Sequence, residues 1–225
     1  MTAIALLTLL ALIAWLTWAC RYAPERARQH MTVGLAIYMF LQPFTEIIAT
    51  LTFGLQPPEV ESWIPLHLCD YAAYALGLAL LLRKQWLFDF IFYAGISAGL
   101  QATIFYLSNP FTWTNPFFVE NYLSHWLLMA GPIYMLGTST LLPTHKGIYR
   151  TLGVMLVLAI PAAIVNKVLG TNIMYLCKKP PGANVLSWFP DWPGYLPFLL
   201  LIALAEFYLH YAIFLGVRRR AHLTT

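Results

Sequence analysis

Seven stretches of this sequence are apolar over lengths of roughly 17 to 23 residues, which is what a helix needs to cross the hydrocarbon core of a bilayer. They run approximately from Ala3 to Ala19, Met31 to Phe53, Ile64 to Leu82, Trp86 to Leu107, Tyr122 to Leu142, Thr151 to Leu169 and Tyr195 to Val217. The pattern predicts an all-α fold: a polytopic helical bundle of seven transmembrane helices, forming one domain over residues 1–225. With 60% hydrophobic and 10% charged residues, the 225-residue chain leaves no length for a separate soluble domain. Any site must therefore come from the bundle and its connections. The first span lacks the charged start and small-residue cleavage pattern of a secretory signal, so it is expected to be retained.

The basic residues predict the orientation. Arg21, Arg26 and Arg28 follow the first span, and Arg83 and Lys84 follow the third. Lys146 and Arg150 follow the fifth, and Arg218, Arg219 and Arg220 follow the last. Such clusters on alternate connections place the C-terminus in the cytoplasm and the N-terminus outside, in a multi-pass protein of the cell membrane. The formal charge of +4 thus reads as a topology signal and excludes nucleic acid as a partner. The outer connections then carry Glu59 and Glu61, Glu120, and a segment over 170–194 with Lys178 and Lys179. Those two lysines run against the charge rule and are expected to meet lipid phosphate. Trp63, Trp113, Trp188, Trp192 and Tyr195 fall in or beside the same connections, at headgroup depth. Pro180, Pro181, Pro190 and Pro193 predict a folded, nonhelical cap there. The absence of an internal repeat weighs against an inverted-repeat transporter.

Polar residues gather near the same outer level. The third span enters near Ile64, which puts His67 about one turn in and Cys69 just deeper, in the run Pro65-Leu66-His67-Leu68-Cys69-Asp70. His125 lies near the first turn of the fifth span. Glu46 and Gln101 sit below the outer ends of the second and fourth, and Asn166 closes the sixth with Asn172 and Tyr175 beyond it. A cysteine in a helix is usually a small apolar filler, and a lone histidine usually a satisfied packing residue. Polar groups spent together inside lipid are more often functional. A thiolate nucleophile needs a base. His67 is two residues from Cys69 and faces elsewhere, so His125, from another helix, is the better partner. His67 can pair with Asp70 across one turn. Glu46, Asn166 or Gln101 could orient the base, and Asn166 or Gln101 could donate to an oxyanion. Glu206 and His210 form an i,i+4 pair lower in the last helix and are read as packing residues or as a seat for a polar ligand tail.

The same residues carry a resemblance that covers nearly the whole chain. The His67-Leu68-Cys69-Asp70 run, the later His125, Asn166 with Gly170-Thr171-Asn172 and Tyr175, the Lys179-Pro180 pair and the Trp192-Pro193-Gly194-Tyr195 approach to the last helix resemble the YwaF-like integral membrane proteins. That family includes a eukaryotic transmembrane acyltransferase that makes polyunsaturated ether phospholipids. The resemblance implies a thiol enzyme with Cys69 and His125 in the positions of nucleophile and base. The chain departs from it at Asn172-Ile173, where the family often has Asn-Tyr, a difference that bears on headgroup or acyl-chain preference.

The expected function is therefore a membrane acyltransferase or lipase acting on glycerophospholipid acyl esters through an acyl-cysteine intermediate. Cys69, His125, Glu46 and Asn166 are the expected catalytic residues, and His67, Asp70, Gln101, Asn172, Tyr175, Lys178 and Lys179 the expected substrate contacts. Membrane phospholipids or lysophospholipids are the expected partners. No metal or nucleotide cofactor is implied, because Cys20, Cys69 and Cys177 lack metal-like spacing and no phosphate loop occurs. Two rivals use the same residues: a non-enzymatic lipid or small-molecule transporter or binding protein, and a structural membrane partner whose polar groups satisfy one another.

Overall fold

A computed structural model describes residues 2–53, 60–107, 116–180 and 185–223 of the chain. Glu59, Trp113 and Pro181 lie outside the described residues, as does the side chain of Glu46. The described residues are helical almost throughout: α1 (Thr2–Arg21), α2 (Glu25–Leu41), α3 (Thr45–Phe53), α4 (Leu68–Leu82), α5 (Gln85–Phe90), α6 (Ile96–Leu107), α7 (Pro116–Thr138), α8 (His145–Leu169) and α9 (Leu196–Leu223). A 3₁₀ turn at Gln42–Phe44 joins α2 to α3, where Pro43 cannot continue the ladder of backbone bonds. A π-helical turn at Ile91–Gly95 joins α5 to α6.

The short helix α4 is the hub. Its run Ala72, Ala73, Ala75, Leu76, Ala79 and Leu80 is buried, and α2, α5 and α7 pack around it. Small residues allow that crowding. A side chain at Gly77 would meet the Phe40 ring at 3.0 Å and the Ala36 carbonyl oxygen at 3.2 Å, and one at Gly131 of α7 would strike Leu76. Close backbone approach is how apolar helices gain contact where lipid competes for every methyl group. On α7, Tyr134 ties in the first two helices: its hydroxyl lies 2.9 Å from Thr32 Oγ1 and donates to the Arg28 carbonyl at 3.1 Å, while its ring stacks on Trp15.

Where the end of α5 meets the start of α8, Asp89 is fully buried and collects donors. It accepts hydrogen bonds from Thr144 N at 3.0 Å, Thr144 Oγ1 at 2.9 Å and Gln85 Nε2 at 3.1 Å, with Arg150 at 4.0 Å. Thr144 also caps α8 by accepting from Gly147 N at 3.0 Å. A buried carboxylate tolerates its position only with such partners.

The outer surfaces of α8 and α9 show how the protein meets its surroundings. Leu156, Val157, Ile160, Ile164 and Val168 on α8, and Leu201, Leu209 and Ile213 on α9, are all more than half exposed. Apolar stripes this long are stable only against hydrocarbon. The protein is a multi-pass integral membrane protein. The expectation of seven spanning helices is nevertheless corrected. Among the described residues three helical segments, Gln85–Ile104, His145–Leu169 and Leu196–Arg220, are long and apolar enough to cross, with Leu68–Leu82 a shorter apolar helix. The reasons are local. The 15-residue α4 rises about 22 Å, short of the roughly 30 Å core. The second expected span, Met31 to Phe53, breaks at Pro43 into the end of α2 and the nine-residue α3. The helix that holds the fifth, α7, carries Glu120, Asn121, Ser124 and His125 in its first half.

Candidate functional site

The site is built where α4 and α7 start and α8 ends. His67 is the residue before α4, in extended conformation, and Asp70 reaches back to accept from the His67 backbone N–H at 2.8 Å. This carboxylate on the first turn satisfies an N–H that would otherwise be orphaned, and it suits the positive end of the helix. The expected His67–Asp70 contact is therefore made through the backbone of His67. It aims the imidazole and the half-buried Cys69 from a defined helix start. Cys69 Sγ lies 4.0 Å from Asp70 Oδ1.

His125 is buried, 6% exposed, on the third turn of α7. Its Nδ1 lies 2.7 Å from the Asn121 carbonyl oxygen one turn earlier. A carbonyl can only accept, so the hydrogen sits on Nδ1 and Nε2 is the acceptor of the ring. The base is thus oriented by the backbone of its own helix. His67 is close enough for the two imidazoles to interact electrostatically. Burial pulls the His67 imidazole below its ordinary value of 6.5, partly opposed by the Glu61 carboxylate. Against α7, α6 runs close: a side chain at Gly99 would collide with the His125 carbonyl oxygen and Met129.

The other expected site residues are placed differently. Asn166 is buried and fully engaged. It donates from Nδ2 to the Ile173 carbonyl at 3.0 Å and accepts at Oδ1 from Ile173 N at 2.7 Å and Thr171 Oγ1 at 2.8 Å. It folds the turn after α8, where Gly170 takes a φ of 70° that glycine adopts without strain. Asn172 does similar work one step on, accepting from Cys177 N at 3.0 Å and Lys178 N at 2.8 Å and donating to the Lys178 carbonyl at 3.0 Å. Its own N–H donates to Glu61 at 2.6 Å, which fastens this loop beside His67. Tyr175 offers its carbonyl to the Tyr195 hydroxyl at 2.6 Å while its side chain is partly exposed. Lys179 donates to Asp191 at 2.9 Å and to the Phe189 carbonyl at 2.8 Å, so it closes the loop. Lys178 is exposed. Gln101 turns to α9 and donates to both Glu206 oxygens at 3.0 Å. The expected Glu206–His210 pair gives way to this one.

With the geometry in place, the comparison with known families is decisive: the model of the TMEM164 family matches residues 1–211. The chain belongs to the TMEM164 family. No curated protein and no solved structure matches it. The label YwaF-like is corrected to TMEM164. The terms acyltransferase, cysteine nucleophile and phospholipid metabolism are supported neither by the family match nor by the geometry at Cys69. A carboxylate beside Cys69 works against the thiolate that a nucleophile requires. Membrane and transmembrane do describe the protein.

Two contributors could not have been singled out by residue type alone. The Asn121 carbonyl is backbone, legible only in the i,i+4 spacing to His125. Glu61 looked like one more acid in an outer connection until the 170–178 loop was folded onto it.

Proposed function

We propose that this member of the TMEM164 family works on membrane lipids at the head of α4 and α7, promoting transfer or hydrolysis of a glycerophospholipid acyl group with His125 as the base. The observation that carries this reading is the His125 ring held through Nδ1 on the Asn121 carbonyl, with Nε2 as acceptor. Burial keeps the imidazole neutral, as a base must be before it acts. In this reading His125 takes a proton from the attacking group and returns it to the departing lysolipid oxygen. The resemblance of the His67 to Asp70 run points to the same chemistry. The proximity of the membrane lets substrate enter sideways from lipid, so it need not leave the bilayer.

The test uses full-length protein in nanodiscs with defined phospholipids, followed by mass spectrometry of both lipids and intact protein. Lysolipid or exchanged acyl chains are expected, and His125→Ala is expected to lower their rate at least about 100-fold. Cys69→Ala in the same assay identifies the attacking group: loss of turnover and of an added acyl mass assigns it to sulfur, and retained turnover assigns it to water or an acceptor hydroxyl. Folded protein with no turnover on any lipid overturns the catalytic reading in favour of lipid binding.

A further inference from the structure

Asp89 and Glu206 both stand within membrane-spanning segments, and the fold treats them unequally. Asp89 is enclosed, takes hydrogen bonds from Thr144 and Gln85, and has Arg150 at 4.0 Å. Glu206 lies about 15 Å along α9 from Leu196 and about 21 Å from Arg220, inside the span and away from both its ends. It is half-buried, and its polar partner is the exposed Gln101 amide of α6, whose Nε2 donates to both carboxylate oxygens at 3.0 Å. Among the described residues no lysine or arginine pairs with it. The pair opens on the outside of the bundle, where α6 meets α9. Around it the surface is apolar: Leu100 and Ile104 flank Gln101, and Leu209 and Ile213 follow Glu206 along its helix, all of them exposed. A carboxylate set in a surface that faces hydrocarbon is costly until a cation reaches it.

We propose that this surface docks a transmembrane helix of another protein that carries a lysine or arginine at mid-membrane depth, the cation seated on Glu206 and on the Gln101 carbonyl oxygen. With its Nε2 given to Glu206, Gln101 presents Oε1 beside the two carboxylate oxygens, an acceptor set that suits an ammonium or guanidinium. The exposed leucines and isoleucines on either side supply the packing surface for the rest of the incoming helix. A second copy of this chain does not fit the role. All 13 of its lysines and arginines lie in connections or within two turns of a helix end, Lys167 being two residues from the end of α8, so a copy brings no cation to the depth of Glu206. The surface is separate from His125, and docking does not depend on the acyl chemistry proposed above.

The experiment is Förster transfer in dioleoyl-phosphatidylcholine vesicles between labelled full-length protein and synthetic leucine-alanine transmembrane peptides that carry a single central Lys, Gln or Leu. The Lys peptide is expected to associate at least about five-fold more tightly than the Leu peptide, and more tightly than the Gln peptide. Glu206→Gln keeps the length of the side chain and its capacity to bond Gln101; it is expected to remove the preference for Lys over Gln while the helical circular dichroism is unchanged. Ile104→Lys, which supplies a competing cation one turn from Gln101, is expected to do the same. Equal association of the Lys and Leu peptides, or a Lys preference that survives Glu206→Gln, overturns the proposal. Transfer between two labelled copies without peptide, abolished by Glu206→Gln, assigns the face to a second copy and overturns it as well. His125→Ala should keep peptide binding while losing turnover, which separates failure of the docking surface from failure of the catalytic reading.

Discussion

At the level of single residues, the candidate site is organised by groups that do not react. Asn166 satisfies both the N–H and the carbonyl of buried Ile173. Asn166→Ala leaves those groups unpaired and is expected to cost about 2 to 3 kcal/mol, read as a lower melting temperature in detergent. Were Asn166 instead a catalytic orienter, stability would be unchanged and only turnover would fall. His67 supplies a pH dependence with a definite sign. Its folded form binds a proton less readily than the unfolded chain, so its contribution to stability is intact above about pH 6.5 and declines as pH falls through that value. Between pH 7.5 and 5.5 the melting temperature should fall more steeply in the native protein than in His67→Gln. Equal slopes would show that His67 is not the titrating group.

Helices meet through similarly particular contacts. The start of α8 is fastened to α5 by Asp89, and Gly147 lies so close to that carboxylate that a side chain would overlap it. Gly147→Ala is expected to destabilise by about 1 to 3 kcal/mol through overpacking. Asp89→Ala, which strands the Thr144 N–H, should cost a similar amount or more. Thermal melts of both variants check this, and a tolerated Gly147→Ala would mean that the α5–α8 junction gives way easily. The hub helix makes a parallel case. Leu76 is fully buried against Gly131, and Leu76→Ala is expected to cost about 2 to 5 kcal/mol.

Across the whole molecule, the end of α8 at Gly170 was legible in the sequence because it follows from a single residue's backbone limits, whereas the seven expected spans were not, the second of them having been drawn straight through the break at Pro43. That His67 and His125 lie within electrostatic reach of each other was legible in part, since counting turns along antiparallel helices gives depth. Depth is not azimuth. Gln101 stood at the right level and yet faces Glu206, because the rotation of α6 is set by its packing on α7 and α9. Lys179 stood in the right loop and yet is spent on Asp191, twelve residues away. That the chain belongs in a membrane was determined by its sequence alone, through the cost of exposing so much apolar surface to water. Which of its helices meet lipid, which is enclosed at the centre, and which polar groups are left facing a ligand were decided only by tertiary packing, because a hydrogen bond or a close contact depends on directions that no spacing along one chain specifies.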